Sequence, residues 1–411
     1  MVESWVFGGN DPEIGRGLNH LPFTAFVDEE TGGRRLGVGI GACVLDLAAA
    51  AEVLPERVRD AVRSPRLNEL MGLGAEAWAE LRGALQFLLG RENSDRRVVE
   101  EALLPVRGLR LELPAEVGDY TDFYASRNHA LRVGELFRPE KPLLDNYDWV
   151  PIGYHGRASS LVASGDEVRR PWGQRKGEGR PVFAPTAKLD YELELGFYVG
   201  RGNELGEPVP VGEAEARVFG VSLLNDWSAR DTQAWEYQPL GPFLGKNFCT
   251  SVSPWVTPVA ALEGVRSNAV PHEGGTLEYL AEGAGRGFAI GLEVRISTAK
   301  SRGVEFVLSE GNSDGLYWTV AQMVAHHTTG GCNLRSGDLL GTGTVSGVER
   351  EQAGCLLELT RNGAEGVRLP NGEVREFLED GDEVVFSGVA VAAGEMPVRL
   401  GECRGRVVGT R

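Results

Sequence analysis

The segment 189–199 constrains the fold more than any other part of the chain, because its residues alternate between polar and apolar (Leu-Asp-Tyr-Glu-Leu-Glu-Leu-Gly-Phe-Tyr-Val). Side chains of a β-strand point alternately to its two faces. A strand here has one apolar face and one face with Glu192 and Glu194 about 7 Å apart. The two carboxylates repel each other unless a cation joins them, and Gly196 beside them leaves room for an ion or ligand. An exposed acidic edge strand is the alternative interpretation.

Short apolar segments between glycine-rich turns indicate that the chain beyond about residue 115 is mainly β-structure. The predicted strands are 191–199, 218–224, 292–296, 356–360 and 383–386. One helix is predicted over 317–328, because the two glycines at 330 and 331 form a C-terminal stop signal. The predicted class is therefore α+β with a predominance of β-structure.

The first 115 residues have a different pattern. Small and apolar residues alternate over 36–46, which predicts two short strands around a turn. Apolar residues at helical spacing predict helices over 45–53, 67–73 and 75–89, and the charged run 91–101 indicates a solvated connector. We predict an amino-terminal domain over 1–115 and a carboxy-terminal domain over 116–411.

Composition excludes several classes of function. The formal net charge of −17 argues against binding to nucleic acid or to an anionic membrane surface, and no apolar run is long enough to span a membrane. The amino terminus has an acid in place of a basic, apolar leader, which predicts a cytoplasmic protein. The 5 cysteines form no Cys-x-x-Cys pair, so reduced thiols are expected.

Other acids occupy positions similar to those of Glu192 and Glu194. Asp226 follows the predicted strand 218–224, and Asp122 lies in the turn-like segment 119–124. Carboxylate oxygens without Cys or His ligands suit a hard divalent cation, Mg²⁺ or Ca²⁺. The sequence does not establish that these acids meet.

Polar residues at helical spacing follow Asp226. Arg230, Gln233 and Tyr237 would lie on one face of a helix, which suggests a site for an anion or oxyanion. An N-cap aspartate followed by solvated side chains is the alternative. Lys246 lies among aromatic residues and glycines, so a partly buried ammonium is expected.

His129 is the best candidate for a general base. It lies near the start of a predicted helix, seven residues after Asp122. A structural histidine at a helix start is the alternative. The chain contains no Gly-x-Ser-x-Gly elbow and no phosphate-binding loop.

Five segments together resemble the fumarylacetoacetate hydrolase family over nearly the full length of the chain. They are 119–124 (Asp-Tyr-Thr-Asp-Phe-Tyr), 153–160 (Gly-Tyr-His-Gly-Arg-Ala-Ser-Ser), 225–231, 239–246 and 333–340. The resemblance implies a small SH3-like β-barrel domain, a mixed β-roll catalytic domain and a homodimer. It also implies hydrolysis of a carbon–carbon bond in 4-fumarylacetoacetate to fumarate and acetoacetate, the last step of tyrosine and phenylalanine catabolism.

The resemblance also implies roles for individual residues. A divalent cation, usually Ca²⁺ in the family, would bind to Asp122, Glu192, Glu194 and Asp226, and a second cation, Mg²⁺, would lie near Asp226, Lys246 and Thr250. His129 would be the general base, oriented by Glu358. The residues that would face the oxyanion are Arg230, Gln233 and Lys246, and those that would line the substrate pocket are Tyr124, Arg138, Tyr154, Gln233, Tyr237 and Thr344.

Two other functions compete with this one. An acylpyruvate hydrolase, or a decarboxylase or hydratase acting on β-keto acids, would use the same acidic site on another substrate. A metal-binding protein without catalysis would keep the acids but would need neither His129 nor Lys246. Both residues are present, which favours the enzyme.

Overall fold

The computed structural model of the chain describes residues 3–28, 32–282 and 287–410. It is a mixed α/β structure that is rich in β-sheet, which agrees with the predicted class at this level. Met1 and Val2, which belong to the segment used to predict localisation, lie outside the described residues. Among the described helices, none has the length and apolar character needed to cross a membrane.

The amino-terminal region combines a small antiparallel sheet with helices. Its strands are β1 (Phe23–Val27), β2 (Arg34–Ile40), β3 (Cys43–Asp46), β4 (Leu103–Pro105) and β5 (Arg110–Glu112), paired in the order β4-β3-β2-β1-β5. Its helices are α1 (Arg59–Arg63), α2 (Asn68–Gly72), α3 (Ala75–Leu89) and α4 (Arg97–Glu101). The predicted hairpin over 36–46 and the helices near 67–73 and 75–89 are confirmed.

Two predictions for this region are wrong. Residues 45–53 do not form a continuous helix: strand β3 continues to Asp46, whose carboxylate accepts hydrogen bonds from the backbone N–H groups of Ala48 and Ala49 and fixes a turn, and only Ala51–Val53 form a short 3-10 helix. The run 91–101 is not only a connector, because α4 lies within it and buries Val99. Local polar contacts in the turn and one buried apolar side chain in α4 decide these structures.

The rest of the chain contains more strands than helices. Its strands are β6 (Tyr120–Phe123), β7 (Gly153–His155), β8 (Leu161–Ala163), β9 (Glu167–Arg169), β10 (Trp172–Arg175), β11 (Val182–Pro185), β12 (Leu189–Asp190), β13 (Leu193–Val199), β14 (Val218–Asp226), β15 (Ser228–Ala229), β16 (Thr250–Val252), β17 (Thr257–Pro258), β18 (Arg266–Ser267), β19 (Gly287–Phe288), β20 (Gly291–Ser297), β21 (Phe306–Asn312), β22 (Leu339–Gly341), β23 (Val367–Arg368), β24 (Val374–Arg375), β25 (Glu383–Ala390) and β26 (Val398–Val408). Its helices are α5 (Arg127–Phe137), α6 (Val211–Ala214), α7 (Arg230–Glu236), α8 (Val320–Thr328) and α9 (Leu356–Leu359).

A large sheet with the strand order β7-β6-β22-β13-β14-β16-β8 positions the acidic residues. Strand β13 pairs antiparallel with β14 on one side and with β22 on the other. Every residue of β13 is buried, so the alternative of an exposed acidic edge strand is wrong. A second sheet has the order β21-β20-β25-β26-β9.

Two further boundaries differ from prediction. Residues 356–360, predicted as a strand, begin with helix α9, because the Asp190 carboxylate accepts hydrogen bonds from its first backbone N–H groups. Helix α8 starts at Val320 and not at residue 317, because Thr319 and Gln322 form a capping box at its first turn. All five cysteines have free thiols, as expected.

The amino-terminal region packs on the large sheet through a shared core. Its buried apolar cluster continues into Tyr198, Phe219 and Leu339 on three strands of that sheet. Phe219 packs edge-on against Trp78 of α3, with ring centroids 5.2 Å apart. The amino-terminal region therefore supports the sheet that holds the acidic residues.

Candidate active site

Four acidic side chains converge in the large sheet. Asp122 comes from β6, Glu194 from β13 and Asp226 from the end of β14, while Glu192 directly precedes β13. One oxygen from each carboxylate lies within 4.8 Å of the others, and all four residues are buried. Neighbouring strands thus bring together acids that are far apart in sequence.

A glycine provides the space in which the acids meet. Strand β22 separates β6 from β13 and ends at Gly341. A Cβ atom on Gly341 would lie 2.6 Å from Asp122 Oδ1 and 2.9 Å from Glu194 Oε2. The backbone N–H of Gly343 donates to the same two carboxylates, at 3.0 and 3.1 Å. Any larger residue at position 341 would crowd the carboxylates.

The electrostatics of the acids call for added positive charge. Burial and the nearby charge of Asp226 raise the pKa of Asp122 to about 8. Burial and the charges of Asp122 and Asp226 raise the pKa of Glu194 well above its usual range. The buried Oε1 atom of Glu194 has no hydrogen-bond partner within the described part of the chain. A cation would stabilise the ionised forms and satisfy this oxygen.

Two cationic side chains surround Glu192. Its carboxylate pairs with Lys246 through one oxygen and with Arg230 through the other. Burial opposes ionisation of Glu192, but these two charges outweigh it and lower its pKa to about 2. Burial alone would lower the pKa of Lys246, whereas Asp226 and Glu192 raise it above its ordinary value. The ammonium is fully charged and more deeply buried than expected.

Asp226 has a polar shell of its own. It accepts hydrogen bonds from the hydroxyl groups of Tyr154 and Thr250, each at 2.6 Å, and its Oδ2 lies 2.9 Å from Lys246 Nζ. Helix α7 begins after Ala229, so Asp226 is not its N-cap. The alternative of a capping aspartate followed by solvated side chains is wrong, since Arg230 is also buried.

His129 lies in the first turn of α5, where the Ser126 hydroxyl caps the helix by accepting from the backbone N–H of His129. Its Nδ1 atom lies 2.6 Å from Glu358 Oε1. Among the described residues, no hydrogen bond reaches its Nε2 atom. The imidazole therefore has one nitrogen fixed by a carboxylate and one available for chemistry.

Several groups stabilise the ionised form of Glu358. Burial would raise its pKa, but His129, together with hydrogen bonds from Arg132 Nη1 at 2.9 Å and from the Ser346 hydroxyl at 2.7 Å, lowers it to about 2. Sequence reasoning missed Arg132 and Ser346. Their positions along the chain give no signal, because the contacts join residues 226 and 12 positions apart.

A cavity of about 440 Å³ lies beside α5 and α7. Its lining includes Tyr124, Arg138, Arg230, Gln233 and Tyr237, with an apolar wall from α5, from residues 142–152 and from Leu357. The structure therefore brings together four of the six residues predicted to line a substrate pocket, in addition to Arg230.

The other two predicted pocket residues lie elsewhere. Tyr154 lines a second cavity, of about 480 Å³, together with Lys246 and Thr250. Thr344 is buried, and its hydroxyl has no hydrogen-bond partner in the described ranges. Tyr154 is close to the acids because its hydroxyl donates a hydrogen bond to Asp226. Thr344 is close to them because the backbone N–H of its neighbour Gly343 donates to Asp122.

Comparison with known proteins gives matches along the whole chain. The family described as fumarylacetoacetase N-terminal matches residues 19–114, and the family described as fumarylacetoacetate hydrolase C-terminal matches residues 120–408. The chain is 44% identical to a fumarylacetoacetase of Arabidopsis thaliana, with 99% of each chain covered. It is 43% identical to a human fumarylacetoacetase, with 95% of this chain and 96% of the human protein covered.

Solved structures share the fold at low sequence identity. A fumarylacetoacetate hydrolase from Exiguobacterium antarcticum has a TM-score of 0.55 at 18% identity, covering 95% of this chain and 100% of the other. A maleylpyruvate hydrolase from Sphingobium, solved with manganese and pyruvate, has a TM-score of 0.51 at 17% identity with the same coverage. At these identities the likeness describes the fold alone.

Proposed function

The chain belongs to the fumarylacetoacetate hydrolase family and hydrolyses fumarylacetoacetate, and we propose that it does so with an oxygen-bound divalent cation and with His129 as the general base. Water cleaves a carbon–carbon bond of the β-diketone, and the products are fumarate and acetoacetate. The observation that carries the proposal is the hydrogen bond of 2.6 Å between His129 and Glu358 in a chain that also buries a cluster of four carboxylates.

The cation would be held by Asp122, Glu192, Glu194 and Asp226. The donor set consists only of oxygen atoms, which Ca²⁺ and Mg²⁺ prefer, and Glu194 offers a buried oxygen without a partner among the described residues. When bound, the cation supplies Lewis-acid polarisation of a diketone carbonyl. We propose Ca²⁺ or Mg²⁺ at this position.

For a second cation we retain Asp226 and Thr250 as the candidate ligands. Lys246 has a raised pKa, and a protonated ammonium has no lone pair to donate to a metal. Its contacts with Glu192 and Asp226 assign it to charge balance inside the site.

His129 would take a proton from the attacking water at Nε2. Its hydrogen bond to Glu358 places the ring proton on Nδ1 and stabilises the imidazolium that forms. Arg132 and Ser346 keep Glu358 ionised for this task. When the leaving carbon needs a proton, the same imidazolium can return it.

The oxyanion would be stabilised by donors that converge on the cavity. Arg230 uses Nε and Nη1 for Asp190 and Glu192, so its buried Nη2, which has no partner in the described structure, is the donor left for substrate. Gln233 lines the same cavity, and Lys246 adds charge. A single oriented donor of this kind is worth about 3 kcal/mol in the transition state.

The substrate would bind in the cavity beside α5 and α7. Arg138 lines it with a guanidinium whose buried Nε has no partner among the described residues, which suits a substrate carboxylate. Tyr124 and Tyr237 line the same space. Tyr154 and Thr344 stay predictions as substrate contacts, and Tyr154 would act through Asp226.

The proposal is tested by treating the purified protein with EDTA, restoring Mg²⁺ or Ca²⁺, and following the ultraviolet absorbance of fumarylacetoacetate. Metal-dependent decay that yields fumarate and acetoacetate is expected. Calorimetric titration should also show at least a tenfold loss of cation affinity in Glu194→Gln, while Asp382→Asn, which alters a buried acid that pairs with Arg375 elsewhere, keeps the affinity. Hydrolysis of an acylpyruvate in place of fumarylacetoacetate would contradict the substrate.

Finer features of the prediction belong with this proposal. We propose an SH3-like amino-terminal barrel over 1–115, a β-roll over 116–411, a homodimer and a cytoplasmic location in tyrosine catabolism. Support comes from the resemblance of the motifs in 119–124 and 153–160 to the family. Light scattering during gel filtration tests the dimer, and a monomeric mass would reject it.

A further inference from the structure

Asp190 lies outside the residues assigned to catalysis but bonds to both halves of the site. It belongs to β12 and is 0% exposed. Its Oδ1 accepts hydrogen bonds from the backbone N–H groups of Tyr191 at 2.9 Å and Leu356 at 2.8 Å. Its Oδ2 accepts from the backbone N–H of Leu357 and from Arg230 Nε, each at 2.9 Å. Both oxygens therefore have two donors.

The hydrogen bonds that Asp190 accepts from the backbone N–H groups of Leu356 and Leu357 fix helix α9. The residue before this helix, Cys355, forms no side-chain cap, so Asp190 supplies the acceptors for the first N–H groups of α9. A helix of four residues does not hold its own conformation in water. Because α9 carries Glu358, the direction of the carboxylate that bonds to His129 depends on Asp190.

The hydrogen bond from Arg230 to Asp190 fixes the orientation of the guanidinium group. One edge bonds to Asp190 and another nitrogen to Glu192, so the plane of the group is set by two buried carboxylates. This arrangement also fixes the position of the remaining nitrogen, Nη2, which has no hydrogen-bond partner among the described residues. One side chain thus links the carboxylate cluster to the His129–Glu358 pair.

We propose that Asp190 is a positioning residue that holds Glu358 and Arg230 in register for the reaction. The inference rests on the proposed function for the roles of His129 and Arg230. Asp190→Asn is the informative substitution, because it keeps the volume but places an NH₂ group against two N–H donors in either orientation.

Asp382 gives a matched control. It is also 0% exposed, accepts from Arg375 Nε at 2.8 Å, and accepts from a backbone N–H, that of Glu379, at 2.9 Å. Among the described residues, none of its hydrogen-bond partners belongs to the carboxylate cluster or to the His129–Glu358 pair. Asp382→Asn therefore measures the general effect of altering a buried aspartate paired with arginine.

Steady-state kinetics with fumarylacetoacetate gives the first readout. Asp190→Asn is expected to lower kcat about 10- to 100-fold, as outer-sphere partners of catalytic groups do, and to change KM less than about threefold. Asp382→Asn should keep kcat within about twofold. Equal kcat values in the two variants would overturn the proposal. Asp190→Glu, which keeps the charge but moves the carboxylate by one methylene, serves if the Asn variant does not fold; full activity would also overturn it.

A double-mutant cycle tests the route. In a Glu358→Gln background, Asp190→Asn should lower kcat by a smaller factor than in the wild type, because only its contact with Arg230 is left to lose. Multiplication of the two single losses would overturn the role through Glu358. Asp382→Asn in the same background shows whether a change in stability alone produces such non-additivity.

The last readout needs no substrate. In protein labelled with ¹⁵N-histidine, the proton on His129 Nδ1 gives a hydrogen-bonded signal, assigned by its loss in His129→Gln. Asp190→Asn should shift or weaken this signal, and Asp382→Asn should leave it unchanged. An unchanged signal in Asp190→Asn would overturn the inference. If the wild-type protein does not hydrolyse fumarylacetoacetate but Asp190→Asn still shifts the signal, the proposed function is refuted and the positioning role is supported.

Discussion

The amino-terminal region and the catalytic region each bury a histidine, and the two imidazoles have opposite surroundings. His20 contacts the carbonyl of Gly15 at 3.0 Å and the hydroxyl of Thr257 at 2.9 Å, so neutral groups engage both ring nitrogens. His129 contacts the carboxylate of Glu358 through Nδ1, and no bond to Nε2 is found among the described residues. Burial lowers the pKa of His20 to about 3.

The comparison shows that burial alone does not identify a catalytic histidine. His20 is more deeply buried than His129, but both of its ring nitrogens are already engaged in hydrogen bonds. A carboxylate partner and a nitrogen without a partner in the described structure are the features that distinguish His129. Substitutions at the two sites should therefore separate activity from stability.

The largest contrast is expected from alanine at each histidine. His129→Ala should lower kcat at least about 1,000-fold, since it removes the base, while its melting temperature stays close to that of the wild type. His20→Ala should keep kcat per folded molecule. Kinetics with fumarylacetoacetate and thermal unfolding measure both. Normal turnover in His129→Ala would end the proposed assignment of the base.

The second contrast concerns the carboxylate partner. Glu358→Gln should lower kcat about 100-fold or more, because the amide neither stabilises an imidazolium nor enforces the same ring tautomer. Glu215→Gln, which alters a partly buried acid paired with Arg266 outside the proposed site, is the control. Comparable kcat values for the two variants would remove Glu358 from the mechanism.

The third effect falls on stability. His20→Ala should lower the free energy of unfolding by about 2 to 4 kcal/mol, because it leaves a cavity and takes a hydrogen-bond partner from a buried hydroxyl and a buried carbonyl. Urea denaturation measures the change, and Asn19→Ala, one residue earlier with a partly buried bond to the Met396 carbonyl, provides a local comparison. A loss below about 0.5 kcal/mol would show that His20 is not a packing residue.

The last effect is a dependence of stability on pH. The folded protein holds His20 neutral down to about pH 3, whereas the unfolded chain binds this proton near pH 6.5. The unfolded state then carries more protons, so His20's contribution is complete above about pH 6.5 and falls as the pH is lowered towards 3. His20→Gln should flatten this part of the stability profile, and an unchanged profile would contradict the assignment.

Elements with long, regular patterns could be predicted from the sequence. The amphipathic repeat of α3 and the alternation in β13 and β14 each specify their own structure within one segment. The identity of the acids was likewise readable, because their chemistry depends on residue type. That they meet depends on the sheet order β6-β22-β13-β14, which no local pattern encodes.

Helix α9 shows why the rest could not be predicted. Its Leu-Leu-Glu-Leu sequence is a short apolar segment typical of a strand, and its helical start depends on Asp190, a residue 166 positions earlier. The partners Arg132 and Ser346 are hidden for the same reason, since a long-range contact leaves no periodic trace. Glu358 was identified through the family resemblance and not through its local pattern.

The core shared by the amino-terminal region and the large sheet affects how the protein folds during its synthesis. The cluster around Leu36 and Leu45 of the amino-terminal region is completed by Phe219 and Leu339, which are translated much later. Until then part of its apolar surface stays in contact with water, and exposed surface of this kind favours aggregation and chaperone binding. The amino-terminal core is thus completed only after residues of the large sheet have been synthesised.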